Sequence, residues 1–294
     1  MLAITLYRAG SYFARVLPLK MPEAIAWTIG QASCLLRRGT RRNIEHNLDV
    51  IHGGALSKRE RRRMSRRVVM NFARAILVFL RLPAYRWEEL RERIELGEFE
   101  NAIASLGERP VFLAVSFHMG PWELGGLCLS RMGFKLHTVA LDHSSDHVTN
   151  FFNRHRRSIG VINHPMRKSY VMLKESLERG EIVGLLVDRA YGATHKRFEF
   201  FGVKHEFPLG HLFLAASVGV PIVTVVMLFD DRNRFRFVVG GVHEPPEERT
   251  EDFDKLEELQ AKCLGDFERI IREHSDQWFQ FEPLPTTVPK SHDT

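Results

Sequence analysis

Cysteine is scarce. Cys34, Cys128 and Cys263 are the only three in 294 residues, far apart and without a CxxC spacing. That excludes a disulfide framework and a structural zinc site as the basis of the fold. The glycine-rich phosphate signatures GxGxxG and GxxxxGK[ST] are absent, so no nucleotide cofactor is expected. No serine sits in a GxSxG elbow and there is no HExxH pair. No basic segment precedes a long apolar stretch near Met1, so no secretory signal is expected. One charge-free run, 212–229, "LFLAASVGVPIVTVVMLF", reaches the length at which a membrane span must be weighed. Gly219 and Pro221 divide it, and its second half is β-branched, which predicts a buried helix, a turn and a buried strand.

Apolar residues are plentiful, at 44%, enough for a substantial core. Charge is unevenly spread. Residues 1–75 hold 15 Arg/Lys against 4 Asp/Glu, whereas 244–282 hold 5 against 13. A basic N-terminal third fits nucleic acid or an anionic membrane surface. Residues 1–40 read as helical, interrupted at Pro18 and Pro22, with Leu2, Leu6, Ala9, Phe13, Val16 and Leu17 on one side. They are either helices packed on a core or an amphipathic hairpin lying in a membrane face, with "RRGTRR" at 37–42 directly after. The segment 57–82 opens with Ser57 and Glu60 in a capping-box spacing, carries seven basic residues between Lys58 and Arg67, and ends hydrophobic. It lacks the aromatic interleaving and motifs of nucleic-acid binders, so a solvated face or headgroup contact is expected and nucleic acid is not.

From residue 109 strands and helices alternate with short links. "PVFLAVSF", "KLHTVAL", "GVINH", "EIVGLLVD", "PIVTVVMLF" and "RFRFVVGG" read as strands. "WELGGLCLSRMG", 146–158, "SYVMLKESLERG" and 251–274 read as helices. The fold class is therefore α/β: a central mixed or parallel sheet flanked by helices, with an N-terminal amphipathic, membrane-associating helical region. The organisation expected is 1–85 as that basic region, 86–285 as an α/β core continuous with it, and 286–294 as a loose tail.

Side chains at the carboxyl ends of strands in such a fold face a common crevice. His118 and Asp188 both follow apolar strands directly. Five residues beyond His118, across Gly120 and Pro121, stands Glu123. On one continuous helix that spacing points two side chains roughly 140° apart. A proline in the first turn lets a helix start near Gly120, leaving His118 on the preceding loop. A carboxylate at 123 could then accept the imidazole Nδ1–H and fix the tautomer. A histidine so paired can take a hydroxyl proton during attack on an already activated acyl carbon; a purely structural histidine is the other reading. Arg154, Arg156 and Arg157 suit phosphate recognition or a solvated helix face. "DHSSDH" at 142–147 repeats Asp and His at i,i+4, which could hold a metal for a hydrolase or form a loop and helix cap.

With these residues in hand, "HMGPWE" resembles the H-x4-[D/E] block of the glycerolipid and lysophospholipid acyltransferase superfamily, and more narrowly of the bacterial lipid A biosynthesis (lauroyl/myristoyl) acyltransferases. "LKESLERGEIVGLLVD" with "RAYG", "FEFFGVKHEFPLGHLFLAASVGVPIV", "HSDQWFQFE" and "RRNIEHNL" resemble further blocks of that family, over nearly all of 5–282. Pro121 stands where the family often has Asn, and Arg189 follows Asp188 where it often has Gln or His. The resemblance implies transfer of a fatty acyl chain from an acyl carrier protein or coenzyme A thioester to a hydroxyl of a membrane glycolipid, phospholipid or lipid A precursor. His118 would be the general base and Glu123 its partner. Arg154, Arg156, Arg157, Asp188, Arg189 and Gly120 would form the substrate side. No cofactor or metal is implied beyond the thioester co-substrate. The place implied is the cytoplasmic face of the bacterial inner membrane, peripheral or monotopic. The rivals are a metal-assisted hydrolase using 142–147 and a non-enzymatic basic module binding membrane or nucleic acid.

Overall fold

The structure is a computed structural model that describes residues 2–16, 24, 28, 38–140, 145–167, 169–191, 194–230, 234–246 and 253–286. In chain order the strands are β1 Ile94–Glu95, β2 Leu113–Ser116, β3 Leu136–Ala140, β4 Val161–Pro165, β5 Ile182–Leu186, β6 His195–Phe200, β7 Val203–Pro208, β8 Ile222–Phe229 and β9 Phe235–His243. The described helices are α1 Leu2–Val16, α2 Arg38–Ile51, α3 Lys58–Arg81, α4 Trp87–Arg91, α5 Gly97–Ala104, α6 Trp122–Arg131, α7 Asp146–Ser158, α8 Ser169–Glu178, α9 Gly210–Val218 and α10 Glu257–Glu273. Seven strands form one mixed sheet in the order β1-β9-β8-β2-β5-β3-β4. β2, β3, β4, β5 and β8 run parallel, while β9 is antiparallel to β8. The expected α/β class is therefore what forms, with the mixed variant of the sheet.

The 212–229 run divides where its residues said it would. Gly219 closes α9 in the left-handed conformation at φ 79°, and β8 follows Pro221 with every residue buried. No described helix is long and apolar enough to cross a membrane. The Ser57–Glu60 capping box at the start of α3 is present in both directions. At the other end of the chain, 253–256 forms a 3-10 turn and the α-helix begins at Glu257.

Besides α2 beyond residue 40, two stretches lay outside the sequence expectation. Between 87 and 104 the chain forms α4, the two-residue β1 and α5. β1 lengthens the sheet by pairing with β9, a long-range event that local pattern does not carry. The other stretch is the β6–β7 hairpin, in which Phe200 pairs with Val203 across a two-residue turn. Phe201 and Gly202 both have positive φ, at 53° and 75°, as a type I′ turn requires. A phenylalanine is strained in that region. It is held there by the Phe201 N–H donating to Glu268 at 2.6 Å, and by the Arg272 guanidinium over its ring.

Large aromatics fill both faces of the sheet. Phe117 stacks on Phe267 of α10 at 3.9 Å between centroids, close to Phe200, Phe207 and Trp278. On the opposite face Phe99 stacks on Phe237, and Phe72 meets Phe279. α1 lies against α3 and α7 through Tyr7, Ser11 and Ala14: Tyr7 meets Phe151 and Phe152, the Ser11 hydroxyl donates to the Leu80 carbonyl, and Arg81 donates to the Ala14 carbonyl. The apolar side expected of this helix is thus turned outward where it is described, with Ala9, Phe13 and Val16 exposed beside Tyr12. The rest of 17–37 falls outside the described residues except 24 and 28.

His211 of α9 gives the core a pH dependence. Its ring is buried, with Nε2 2.9 Å from the Gln260 amide oxygen, and burial pushes its pKa down to about 4. Between that value and the ordinary 6.5 the unfolded chain binds the proton more readily, so stability falls as pH drops through this window. Going from pH 7 to 4.5 should cost about 2 kcal/mol through this group alone. In urea titrations, His211→Gln should lose that much less than the parent over the same interval. An identical loss in both would show that other groups carry the acid sensitivity.

Candidate active site

β2 and β5 are neighbours, and Ser116 pairs with Leu186 at their carboxyl ends. Two residues beyond each pair member lie His118 and Asp188. Register alone therefore brings them together. His118 Nδ1 lies 2.6 Å from Asp188 Oδ1, and the His118 backbone N–H donates to Oδ2 at 3.1 Å. The Trp278 indole N–H donates to Oδ2 at 3.0 Å. Asp188 is buried, which works to raise its pKa. The His118 imidazole outweighs this, with help from Arg189 and the indole, and the carboxyl stays well below its ordinary value. An ionised Asp188 makes Nδ1 the protonated nitrogen and leaves the Nε2 lone pair free. Nε2 has no hydrogen-bond partner among the described residues, and the His118 side chain is 20% exposed. That is the arrangement of a base with its orienting acid.

Glu123 is not the partner of His118 in this structure. α6 starts at Trp122, with Pro121 as its cap residue rather than inside its first turn. The Trp122 ring takes the side facing His118, at 5.4 Å edge-on. One residue on, a helix has turned about 100°, and Glu123 points to α7. There it receives Arg156 in a fork: Nη2 to Oε1 at 2.7 Å and Nε to Oε1 and Oε2 at 3.1 and 3.2 Å. Burial works against the Arg156 charge, and Glu123 more than offsets it. Arg156 is therefore committed to a carboxylate, which corrects the expectation that it is free for a phosphate. Arg154 and Arg157 are exposed and unpaired among the described residues.

Gly120 is required by space as well as by dihedral. Its φ is 49°, and a Cβ there would stand 2.2 Å from the Met227 carbonyl oxygen. The close neighbours are the β8 backbone at Met227 and Leu228, and the 275–279 segment is tied both to the His118 loop and to β8. The Gly120 N–H donates to the Gln277 carbonyl, the Phe279 N–H donates to the His118 carbonyl, and the Gln277 side chain satisfies both backbone groups of Phe229. α3 holds the same segment through Asn71 and Arg67 on Asp276. "HSDQWFQFE" thus braces His118 and Asp188. Its Trp278 was the residue whose role local sequence did not reveal.

Beside the His118–Asp188 pair opens a groove of about 1270 Å³. Asp188, Arg189, Tyr191, Lys204, His205 and Glu282 line it, with others. Arg189 donates to the Phe279 carbonyl at 3.4 Å. Lys204 and His205 come from the β6–β7 hairpin, so the sequence reading, which did not identify that hairpin, missed them. No group of three or more His, Cys, Asp or Glu side chains able to hold a metal occurs among the described residues. Asp142 and His143 of the 142–147 cluster lie outside them, while Asp146 and His147 are exposed in the first turn of α7.

A search of curated proteins gave no match. Among solved structures, the chain is similar to the crystal structure of the 1-acyl-sn-glycerophosphate (LPA) acyltransferase PlsC from Thermotoga maritima, at 12% identity and a TM-score of 0.41, covering 89% of this chain and 99% of that one. The family model described as bacterial lipid A biosynthesis acyltransferase matches residues 2–284, nearly the whole sequence. The chain belongs to the bacterial lipid A biosynthesis acyltransferase family and is an acyltransferase of lipid biosynthesis.

Proposed function

We propose that this acyltransferase moves a fatty acyl chain from an acyl carrier protein or coenzyme A thioester to a hydroxyl of a membrane glycolipid or lipid A precursor, with His118 as the general base. The observation that carries the assignment is the 2.6 Å contact between His118 Nδ1 and a buried, ionised Asp188. His118 Nε2 takes the proton from the acceptor hydroxyl as its oxygen attacks the thioester carbon. Asp188 stabilises the imidazolium that forms. The tetrahedral intermediate collapses, the carbon–sulfur bond breaks, and His118 returns the proton to the departing thiolate. Arg189, which lines the groove beside Asp188, meets the developing oxyanion or a substrate phosphate. The exposed Arg154 and Arg157 are further candidates for phosphate contact. The direct test is mass spectrometry of lipids from cells with and without the gene. A missing acyl chain names the acceptor, and an unchanged lipid profile with no transfer in vitro overturns the reading.

Asp188→Asn checks the division of labour. The amide can offer N–H to Nδ1, which favours the tautomer with its lone pair on the wrong nitrogen. Turnover should fall about 100-fold or more with a folded protein. Full activity would mean that Asp188 only braces the strand end.

The site of action follows from the acceptor: the enzyme works peripherally on the cytoplasmic face of the inner membrane. The N-terminal helix contributes its exposed Tyr12, Phe13 and Val16, flanked by Arg8 and Arg15. Deleting residues 1–35 should weaken vesicle binding, and high salt should release the intact protein only incompletely, because apolar insertion is not screened. Equal binding by a folded deletion variant places the contact elsewhere.

A further inference from the structure

Eight large hydrophobic side chains are exposed among the described residues. Three are on α1. The other five, Met166, Tyr170, Val171, Met172 and Tyr191, follow the carboxyl ends of β4 and β5. The sheet register says where that is. Ser116 pairs with Leu186, Thr138 with Gly184, and Ala140 with Pro165. Carrying the β3–β5 register two residues further sets Ser116, Leu186, Ala140 and Pro165 in one row across four adjacent parallel strands. His118 and Asp188 stand two residues past that row, and Met166 and Arg167 stand one and two residues past it. At about 4.8 Å between strands, the β4 corner is roughly 15 Å along the edge from the strand that delivers His118.

The corner is built rather than frayed. Tyr170, at the start of α8, turns its hydroxyl onto the Ser217 hydroxyl and the Phe213 carbonyl of α9 at 3.3 and 3.4 Å. That docks the helix while Val171 remains 58% exposed and Met166 and Met172 stay open. The first turn of α8 contains no acidic residue. Arg167 is exposed and has no ion-pair partner among the described residues. Flexible apolar side chains, one anchored tyrosine and an unneutralised cation suit the boundary between acyl chains and anionic headgroups. A protein partner recognised through its acidic surface would leave the methionines and Val171 without a counterpart.

We propose that the β4–α8 corner, through Met166, Arg167, Tyr170, Val171 and Met172, inserts into the interface of an anionic lipid bilayer and sets the edge of the sheet that bears His118 against the membrane. It is a second lipid contact, separate from α1. It rests on the acyl-transfer reading only in that the acceptor then lies within lateral reach of the base. Insertion of a few ångströms at this corner keeps a lipid headgroup near the plane of His118 while its chains remain in the bilayer.

The test uses the full chain, vesicles of phosphatidylglycerol and phosphatidylcholine, and vesicles of phosphatidylcholine alone. The triple variant Met166→Ser/Val171→Ser/Met172→Ser should bind the anionic vesicles at least tenfold more weakly, with unchanged melting temperature and gel-filtration size. Val171→Glu alone, at an exposed position, gives the same direction if the triple variant misfolds. Arg167→Glu should weaken binding to anionic vesicles and leave binding to neutral ones unaltered. Turnover of detergent-dispersed substrate should not change in any of them, since none of these residues lines the groove. Unchanged vesicle affinity in the triple variant and in Val171→Glu overturns the proposal. So does a shift of oligomeric state with vesicle affinity intact, which would make the corner a contact between copies of the chain. Weakened vesicle binding in a protein that transfers no acyl group would uphold the lipid contact and overturn the acyl-transfer reading instead.

Discussion

His118→Ala should lower turnover by roughly 10²- to 10⁴-fold at saturating donor and acceptor while the protein still folds. The side chain is bound on one side only, through Nδ1 to Asp188, and its loss leaves no cavity in the aromatic core beneath, where Phe117 and Phe267 remain stacked. The loss should fall on kcat more than on KM, because the proton transfer occurs in the transition state and not in binding. Asp188, left behind, keeps the Trp278 indole as a donor, which limits the stability cost of the change. A variant with full turnover at saturation would remove His118 from the chemistry and make its contact with Asp188 a structural one.

The second large effect is on stability. Glu123 and Arg156 are about 85% buried at their side chains, with 14% and 15% exposed, and face each other in a fork. Removing one partner of such a pair leaves an uncompensated buried charge, which costs about 3–5 kcal/mol. Glu123→Ala should lower stability by that amount in urea titration. Replacing both, as in Glu123→Leu/Arg156→Met, should recover most of it, since apolar isosteres avoid the desolvation of two ions. The same measurement separates the two roles open to Glu123. If Glu123→Ala were as stable as the parent and instead showed reduced kcat with an altered pH profile, the carboxylate would be acting on His118 during the reaction.

The comparison of His118 with Glu123 shows what local sequence carries and what it does not. The distance of five residues is visible, and so is a helix start at the proline. The outcome turned on a single residue of phase. With α6 beginning at Trp122, the tryptophan takes the His118 side and Glu123 is rotated toward Arg156. Boundaries of that precision depend on what the flanking residues pack against. Trp122 also lies against Phe279, more than 150 residues away in the chain. The hairpin that supplies Lys204 and His205 escaped for a related reason. Its turn is Phe-Gly, not one of the usual Asn-Gly or Asp-Gly signals, and the tertiary contacts of Phe201 with Glu268 and Arg272 stabilise it.

By itself the sequence determined the kind of molecule. Alternation of β-branched runs with helices dictates a layered α/β sheet. Gly219 and Pro221 split the one span-length apolar run. Two polar residues, His118 and Asp188, each end an apolar strand, and strand ends in such folds face one crevice. Those features are legible because period, turn chemistry and strand termini are local properties of the chain. Only the tertiary structure decided which groups meet. The pairing of β2 with β5 joined His118 and Asp188, 70 positions apart, in a hydrogen bond. The return of the 275–279 segment added Trp278, the β8 backbone closed the space over Gly120, and the Arg156 fork from α7 holds Glu123 away. Strand order and helix phase are set by burial of side chains from distant parts of the chain. A hydrogen bond between such parts has no counterpart in the spacing of residues along it.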